Sequence, residues 1–326
     1  MVRFVARRAA ASVVVLVLAS ALIFVIVREL GADPARARCQ LSRSQASCLE
    51  HTRARLGLDR SLPEQYVDFM GDFFQGRWGT SQRTDRSVAD SITTALGQTA
   101  QLAGWGVLFS GAIALVVGVV SASRPYSARD YLFTGLAFAG IAMPTFWFGL
   151  LCIEFLGKGL QDLLGSREPI LYSIPNPLGH GALEYARELA LPVLVLSVQL
   201  IASWSRYQRS AVLEELGQDY VRTARAKGLS RRQVVWKHGL RGSLTTLVTV
   251  VALDAGALFG GLIVTERIFA RPGMGTLLLS AVTNGDTAVL LPWMMVAGAI
   301  VVVANLAADL LYGVLDPRVR LAGGAT

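Results

Sequence analysis

The chain is short of the residues from which catalytic sites are built. Its 326 residues include three histidines and three cysteines. His51, His180 and His238 are scattered along it, and Cys39, Cys48 and Cys152 lack the spacing of a zinc module. No acid–base pair or activated nucleophile can be assembled from the pattern, so neither a catalytic nor a metal site is expected. Charge is scarce as well. Charged residues make up 17% of the chain, against roughly a quarter in a soluble domain. Lysine occurs at Lys158, Lys227 and Lys237 alone. These deficits argue against a soluble globule.

Apolar residues are abundant. They reach 53%, with a mean hydropathy of +0.47, and they cluster in blocks of about 20 residues, enough to cross a bilayer core. The net charge of +8 could suggest a nucleic acid. Its carriers flank apolar runs, however, where they set membrane orientation. A membrane-lipid environment is therefore expected, and no nucleic-acid partner.

The expected architecture is all-α and polytopic, with six spans. Arg3, Arg7 and Arg8 precede an uncharged run to Val27. An Ala-Ser-Ala at Ala19 to Ala21 mimics a cleavage site, but the run outlasts a usual signal sequence, so residues 1–28 read as a retained helix. Residues 29–93 form a polar segment of mixed charge, placed outside because long segments escape the positive-inside rule. There Cys39 and Cys48 could form a disulfide; two free thiols are the alternative. Residues 94–315 hold five further spans. The second lies near Thr99–Ser121, the third near Tyr131–Leu156 and broken at Met143-Pro144, and the fourth at Leu189–Tyr207. The fifth lies near Thr245–Val264 and the sixth near Val289–Leu311. Residues 316–326 remain as a tail. Basic inner loops then put both termini inside.

Between the fourth and fifth spans lies a basic loop, residues 210–243. Val212, Leu216, Tyr220 and Ala224 recur every four residues, which predicts one helix over Ser210–Lys227. Gly228 ends it, as glycine does at a left-handed cap. Ser230 is a fitting N-cap for a second short helix, Arg231–His238. Such an element could bind anionic lipid, a nucleic acid or a groove on a cytoplasmic protein. The glycine turn favours the groove, since a helix lying on lipid needs no turn at its centre.

At this point the residues resemble a known family. Tyr220-Val221-Arg222-Thr223-Ala224-Arg225-Ala226-Lys227-Gly228-Leu229, followed by Trp236-Lys237-His238 and Arg241, is similar to the coupling loop of ABC import permeases of the peptide/nickel, DppB/OppB-like branch. Arg222-Thr223-Ala224 stand where the broad family has Glu-Ala-Ala, and Arg241 replaces a final proline. The outer segment, Ile141–Phe146 with Pro144, the loop carrying Glu266, Pro272, Gly273 and Gly275, and the C-terminal Asn305, Asp309 and Asp316-Pro317-Arg318 match the same branch in order.

The resemblance implies a type I ABC importer permease fold in the cytoplasmic membrane of a bacterium. It implies a second homologous permease, two ABC ATPase subunits docking on the loop, and an extracytoplasmic substrate-binding protein. ATP and Mg would act in the ATPase subunits, with no cofactor in this chain. Short peptides would be the cargo; nickel, glutathione or another small solute is the alternative, and a non-transporting membrane scaffold the second. Polar residues within spans are costly and functional by default. Gln101, Pro144, Phe146, Gln199 and Asp254 are the path candidates, and Asp254 reads equally as lining or as interhelical glue.

Overall fold

The computed structural model describes residues 2–31, 33, 35, 39, 44–55, 57–166, 169–175 and 181–315. All named elements among them are helical. They are α1 (Val2–Leu30), α2 (Gln45–Arg55), α3 (Leu62–Phe74), α4 (Val88–Ser123), α5 (Ala128–Ala142) and α6 (Thr145–Leu151). A π-helical turn, Cys152–Lys158, leads into α7 (Gly159–Leu163), and α8 follows at Ala182–Leu216. Next come α9 (Asp219–Ala226), α10 (Arg231–Gln233), a second π-helical turn (Val234–Gly239) and α11 (Leu240–Gly261). The last are α12 (Ile263–Ile268), α13 (Met274–Asn284) and α14 (Thr287–Leu315). The 316–326 tail, with Asp316-Pro317-Arg318, lies outside the described residues.

Four described helices are long and apolar enough to cross a membrane, and a fifth span results if the bent α5–α6 pair counts as one. The bend is sharper than a kink, at 104°. Its cause is Pro144, which donates no hydrogen bond and bars helical backbone at Met143 before it. Met143 is extended accordingly, with ψ at 121°. The exposed Met143 carbonyl accepts from Gln199 Nε2 at 3.3 Å.

The chain divides into two compact units. The unit of residues 2–99 and 272–303 wraps apolar side chains of α1, α3, α4, α13 and α14. Phe24 and Val27 of α1 bury against Leu291, Tyr66 and Phe69, and Ser20 Oγ meets the Tyr66 hydroxyl at 2.6 Å. The opposite face of α1 stays bare, with Leu18 66% exposed, as suits a helix facing lipid. Val88, Ile92, Met274, Ala281 and Trp293 form a second core. Cys39 and Cys48 are joined by a disulfide. Asp286 organises the polar part. It accepts from Ser81 Oγ at 2.6 Å and Gln82 N at 3.3 Å, and it caps α14 through Val289 N at 3.4 Å.

The other unit spans residues 100–271 and the described part of 304–326. Its axis is α8, 35 residues long, or roughly 52 Å at 1.5 Å per residue. That exceeds the ~30 Å hydrocarbon core, so α8 is longer than a span requires. Buried Trp204 of α8 packs with Ala114 and Leu247. At Gly118 of α4 a Cβ would stand 2.7 Å from the Gln208 side chain and 2.9 Å from the Ser205 carbonyl. Gly118→Ala is therefore expected to force α4 and α8 apart, at about 1–3 kcal/mol. Thermal unfolding of the purified chain in detergent checks this; an unchanged midpoint refutes it.

Candidate functional site

The single helix expected over Ser210–Lys227 is two helices. α8 ends at Leu216, Gly217 still has helical backbone, Gln218 turns extended with ψ at 151°, and α9 starts at Asp219. The four-residue spacing of apolar side chains runs across this break, which is why the pattern misled. The second short helix is also corrected. It does not stop at His238; α10, the π-helical turn and α11 run on without a loop.

Between α9 and α10 stands the turn. Gly228 has φ +84°, a region that costs any residue with a Cβ. Gly228 N donates to Arg225 O at 3.0 Å and Leu229 N to Ala224 O at 3.3 Å, the paired bonds of a Schellman motif. Ser230 caps α10, its Oγ accepting from Gln233 N at 3.4 Å while its own N–H donates to Gln233 Oε1 at 3.0 Å. The α9–α10 corner is thus fixed by main-chain bonds back to α9 and by a side-chain capping box at the start of α10.

Burial divides the element into a root and a working face. Val221, Ala224, Val234 and Val235 are buried, and Val235 packs with Val119, Ala122 and Val212 at the ends of α4 and α8. Arg222, Thr223, Arg225, Lys227, Gly228, Trp236, Lys237 and Arg241 are exposed, while Leu229 and His238 are half-buried. Ala224 therefore belongs to the root rather than to the face. Tyr220 bridges the two helices. Its hydroxyl donates to the Glu215 carboxylate, and its ring lies 6.2 Å from that of His238. Partial burial first, and the Glu215 carboxylate second, push the Tyr220 hydroxyl up to about 12. Among the described residues the ion pair of this stretch is Arg222 with Asp219, 3.3 Å apart and solvent-exposed. Such pairs contribute little, which leaves the face strongly positive.

A second feature lies beside the root. Arg209 Nε and Nη2 each donate to the Asp130 carboxylate at 2.7 Å, one to each oxygen. Ser121 Oγ also donates to it, as does Tyr126 N at 2.8 Å. Asp130 is 3% exposed. This node ties the end of α4, the α4–α5 turn and the start of α5 to α8, one helical turn before Val212 and the root. Opposite charges at the same ends of neighbouring spans were the available signal.

The path candidates separate. Gln199 and Asp254 line one cavity of about 260 Å³ with Thr145, Leu196, Leu200, Leu258, Val264 and Thr265. Trp204 Nε1 donates to Asp254 Oδ2 at 2.6 Å. Pro144 and Phe146 are not among the lining residues, and Phe146 is 56% exposed. Gln101 sits elsewhere, accepting from the Tyr185 hydroxyl at 3.2 Å. The stretch after the fifth expected span is also more structured than a loop. Glu266 is buried in α12, and Arg271 N donates to its carbonyl at 2.8 Å. Pro272 and Gly273 lead into α13, where Gly275 is buried. That helix, Met274–Asn284, was missed because its 11 residues are too few to cross a bilayer.

Comparison with known proteins gives a consistent picture. Residues 114–321 match the family described as binding-protein-dependent transport system inner membrane component, and residues 1–103 match the N-terminal region of such components. The di/tripeptide transport system permease protein DppB of Pseudomonas aeruginosa is 34% identical over 98% of this chain and 99% of its own length. The oligopeptide transport system permease protein AppB of Bacillus subtilis is 35% identical over 98% and 100%. The dipeptide transport system permease protein DppB of Escherichia coli is 30% identical over 98% and 99%.

Proposed function

Because the chain belongs to the family of binding-protein-dependent transport system inner membrane components, we propose that it is one permease subunit of an ATP-driven importer of short peptides. It pairs with a second homologous permease to form the path, and an extracytoplasmic binding protein delivers the cargo. Two ABC ATPase subunits, which hold the ATP and Mg, dock on the α9–α10 corner. The observation that carries this reading is the corner itself: a positive, exposed face on a rigid turn, rooted in the ends of α4 and α8. ATP-driven closure of the ATPases pushes the corner, and the root passes that displacement to spans that alternate between two discrete arrangements. The basic residues supply register against acidic groups of the partner. The chain itself carries out no catalysis.

In this reading α11 completes a six-span topology of the type I importer kind. At 22 residues it is about 33 Å long. Residues 29–93 lie outside and both termini inside. A cysteine introduced at Arg83 is expected to react with a membrane-impermeant maleimide in intact cells, and one at Gln218 only after the membrane is opened. The disulfide and the buried Cys152 keep the background low. Labelling of Gln218→Cys in intact cells would reverse the orientation.

The functional test is the reconstituted complex. Receptor loaded with a tripeptide should stimulate ATP hydrolysis and drive uptake into vesicles. Stimulation by nickel or glutathione but not by peptides would move the cargo and keep the machine. No stimulation by any loaded receptor would favour a membrane scaffold.

A further inference from the structure

Asp254 sits in the middle of an apolar helix, where a carboxylate is costly. An ionised carboxylate can accept about four hydrogen bonds. Here the described partner is Trp204 Nε1 at 2.6 Å to Oδ2, and the Trp204 side chain is fully buried. Asp254 is half-buried, and one neutral donor leaves most of its acceptor capacity open. That donor does fix the orientation of the group. The carboxylate belongs to the lining of a cavity of about 260 Å³. Among the described residues, no lysine, arginine or histidine shares that lining. Gln199, whose Nε2 is committed to Met143 O, leaves its amide oxygen as a further acceptor, and Thr145 and Thr265 add hydroxyls. Leu196, Leu200 and Leu258 supply apolar wall. The cavity is thus rich in acceptors, negatively charged and without an internal cation.

We propose that this cavity is a transit subsite for the primary ammonium group of a passing peptide, with Asp254 as counter-ion and Trp204 as the residue that positions it. The proposal rests on the importer reading. An ammonium brings a positive charge and three donors, and the lining offers it the Asp254 carboxylate, the Gln199 amide oxygen and the Thr145 hydroxyl as acceptors. The charge-assisted contact is the strong one, and it is weak enough as a single pair to release the peptide onward.

The test uses the reconstituted assembly without its receptor, so that receptor preference does not enter. A photoreactive tripeptide is cross-linked to this chain, and trialanine competes against it. Free trialanine is expected to compete at about tenfold lower concentration than N-acetyl-trialanine, as one charge-assisted contact implies. N-acetyl-lysyl-dialanine, which restores an ammonium on a side chain, should compete nearly as well as the free peptide. Asp254→Asn should abolish the tenfold difference and Asp254→Glu should keep most of it. Trp204→Phe, which keeps the ring and removes the donor, should reduce it, and it serves if Asp254→Asn does not assemble. Equal competition by free and acetylated peptide in the unsubstituted protein overturns the subsite. So does an undiminished preference in Asp254→Asn. Either result with receptor-driven peptide uptake intact leaves the importer reading standing; absence of all peptide uptake overturns both.

Discussion

Replacing Asp130 with asparagine should lower the stability of this protein by about 3–5 kcal/mol, the range for breaking one side of a buried pair. Arg209 would keep its charge in a site where its side chain is 24% exposed, and the two-pronged bond to the carboxylate would be lost. Ser121 Oγ and Tyr126 N would lose their charged acceptor as well. Thermal unfolding in detergent reads the effect as a drop of several degrees or more. Asp130→Leu alone and Arg209→Met alone should each also be costly, because each leaves one charge of the pair without its counterpart. The double variant Asp130→Leu, Arg209→Met should recover much of the loss, since an apolar replacement of a buried pair is often close to neutral. The non-additivity is the decisive quantity. Two single losses that simply add would mean that the residues act separately.

The same node bears on mechanism. It joins α4, α5 and α8 one helical turn before the root of the α9–α10 corner that we propose couples to the ATPases. A loosened node lets the α9–α10 corner move without carrying the helices with it. In the assembled transporter, the double variant is therefore expected to fold and hydrolyse ATP, but with peptide uptake per ATP reduced. Unreduced uptake would assign the node to stability alone.

What could be read in the sequence follows from how local each cause is. Gly228 and the Ser230 N-cap were legible because a left-handed turn and an N-cap each demand particular residues within a few positions. Pro144 was legible as a break for the same reason, although its 104° angle depends on what packs around it. The Gly217 break was not, because apolar spacing continued through it and Gly inside a helical pattern is tolerated at modest cost. The Asp130–Arg209 pair spans 79 residues, and no local pattern couples them. The path candidates show both cases. Asp254 and Gln199 meet in one cavity through tertiary packing, whereas Gln101 is drawn to Tyr185 by the same packing.

Gly228→Val is expected to abolish coupling while leaving the spans folded. At φ +84° a β-branched side chain is strongly disfavoured, so the Schellman bonds to Arg225 and Ala224 must break or distort. A Cβ at Gly228 meets nothing within 4 Å in this chain, so the cost is conformational and not steric. Gly228 itself is exposed with open space beside it, so the buried root at Val221, Ala224, Val234 and Val235 can stay packed, and the unfolding midpoint of the isolated chain should move less than in Asp130→Asn. In the full complex, peptide uptake and receptor-stimulated ATP hydrolysis should fall more than tenfold, because the angle between α9 and α10 sets where the basic face meets its partner. Asparagine is the instructive comparison, since it tolerates the left-handed region. Gly228→Asn should retain at least half of the uptake if the turn angle is what matters. Loss as complete as that of valine would instead mean that the partner surface approaches the corner too closely for any side chain. Wild-type uptake by Gly228→Val would remove the corner from the coupling path altogether, because no rigid transmission survives the loss of its hinge angle.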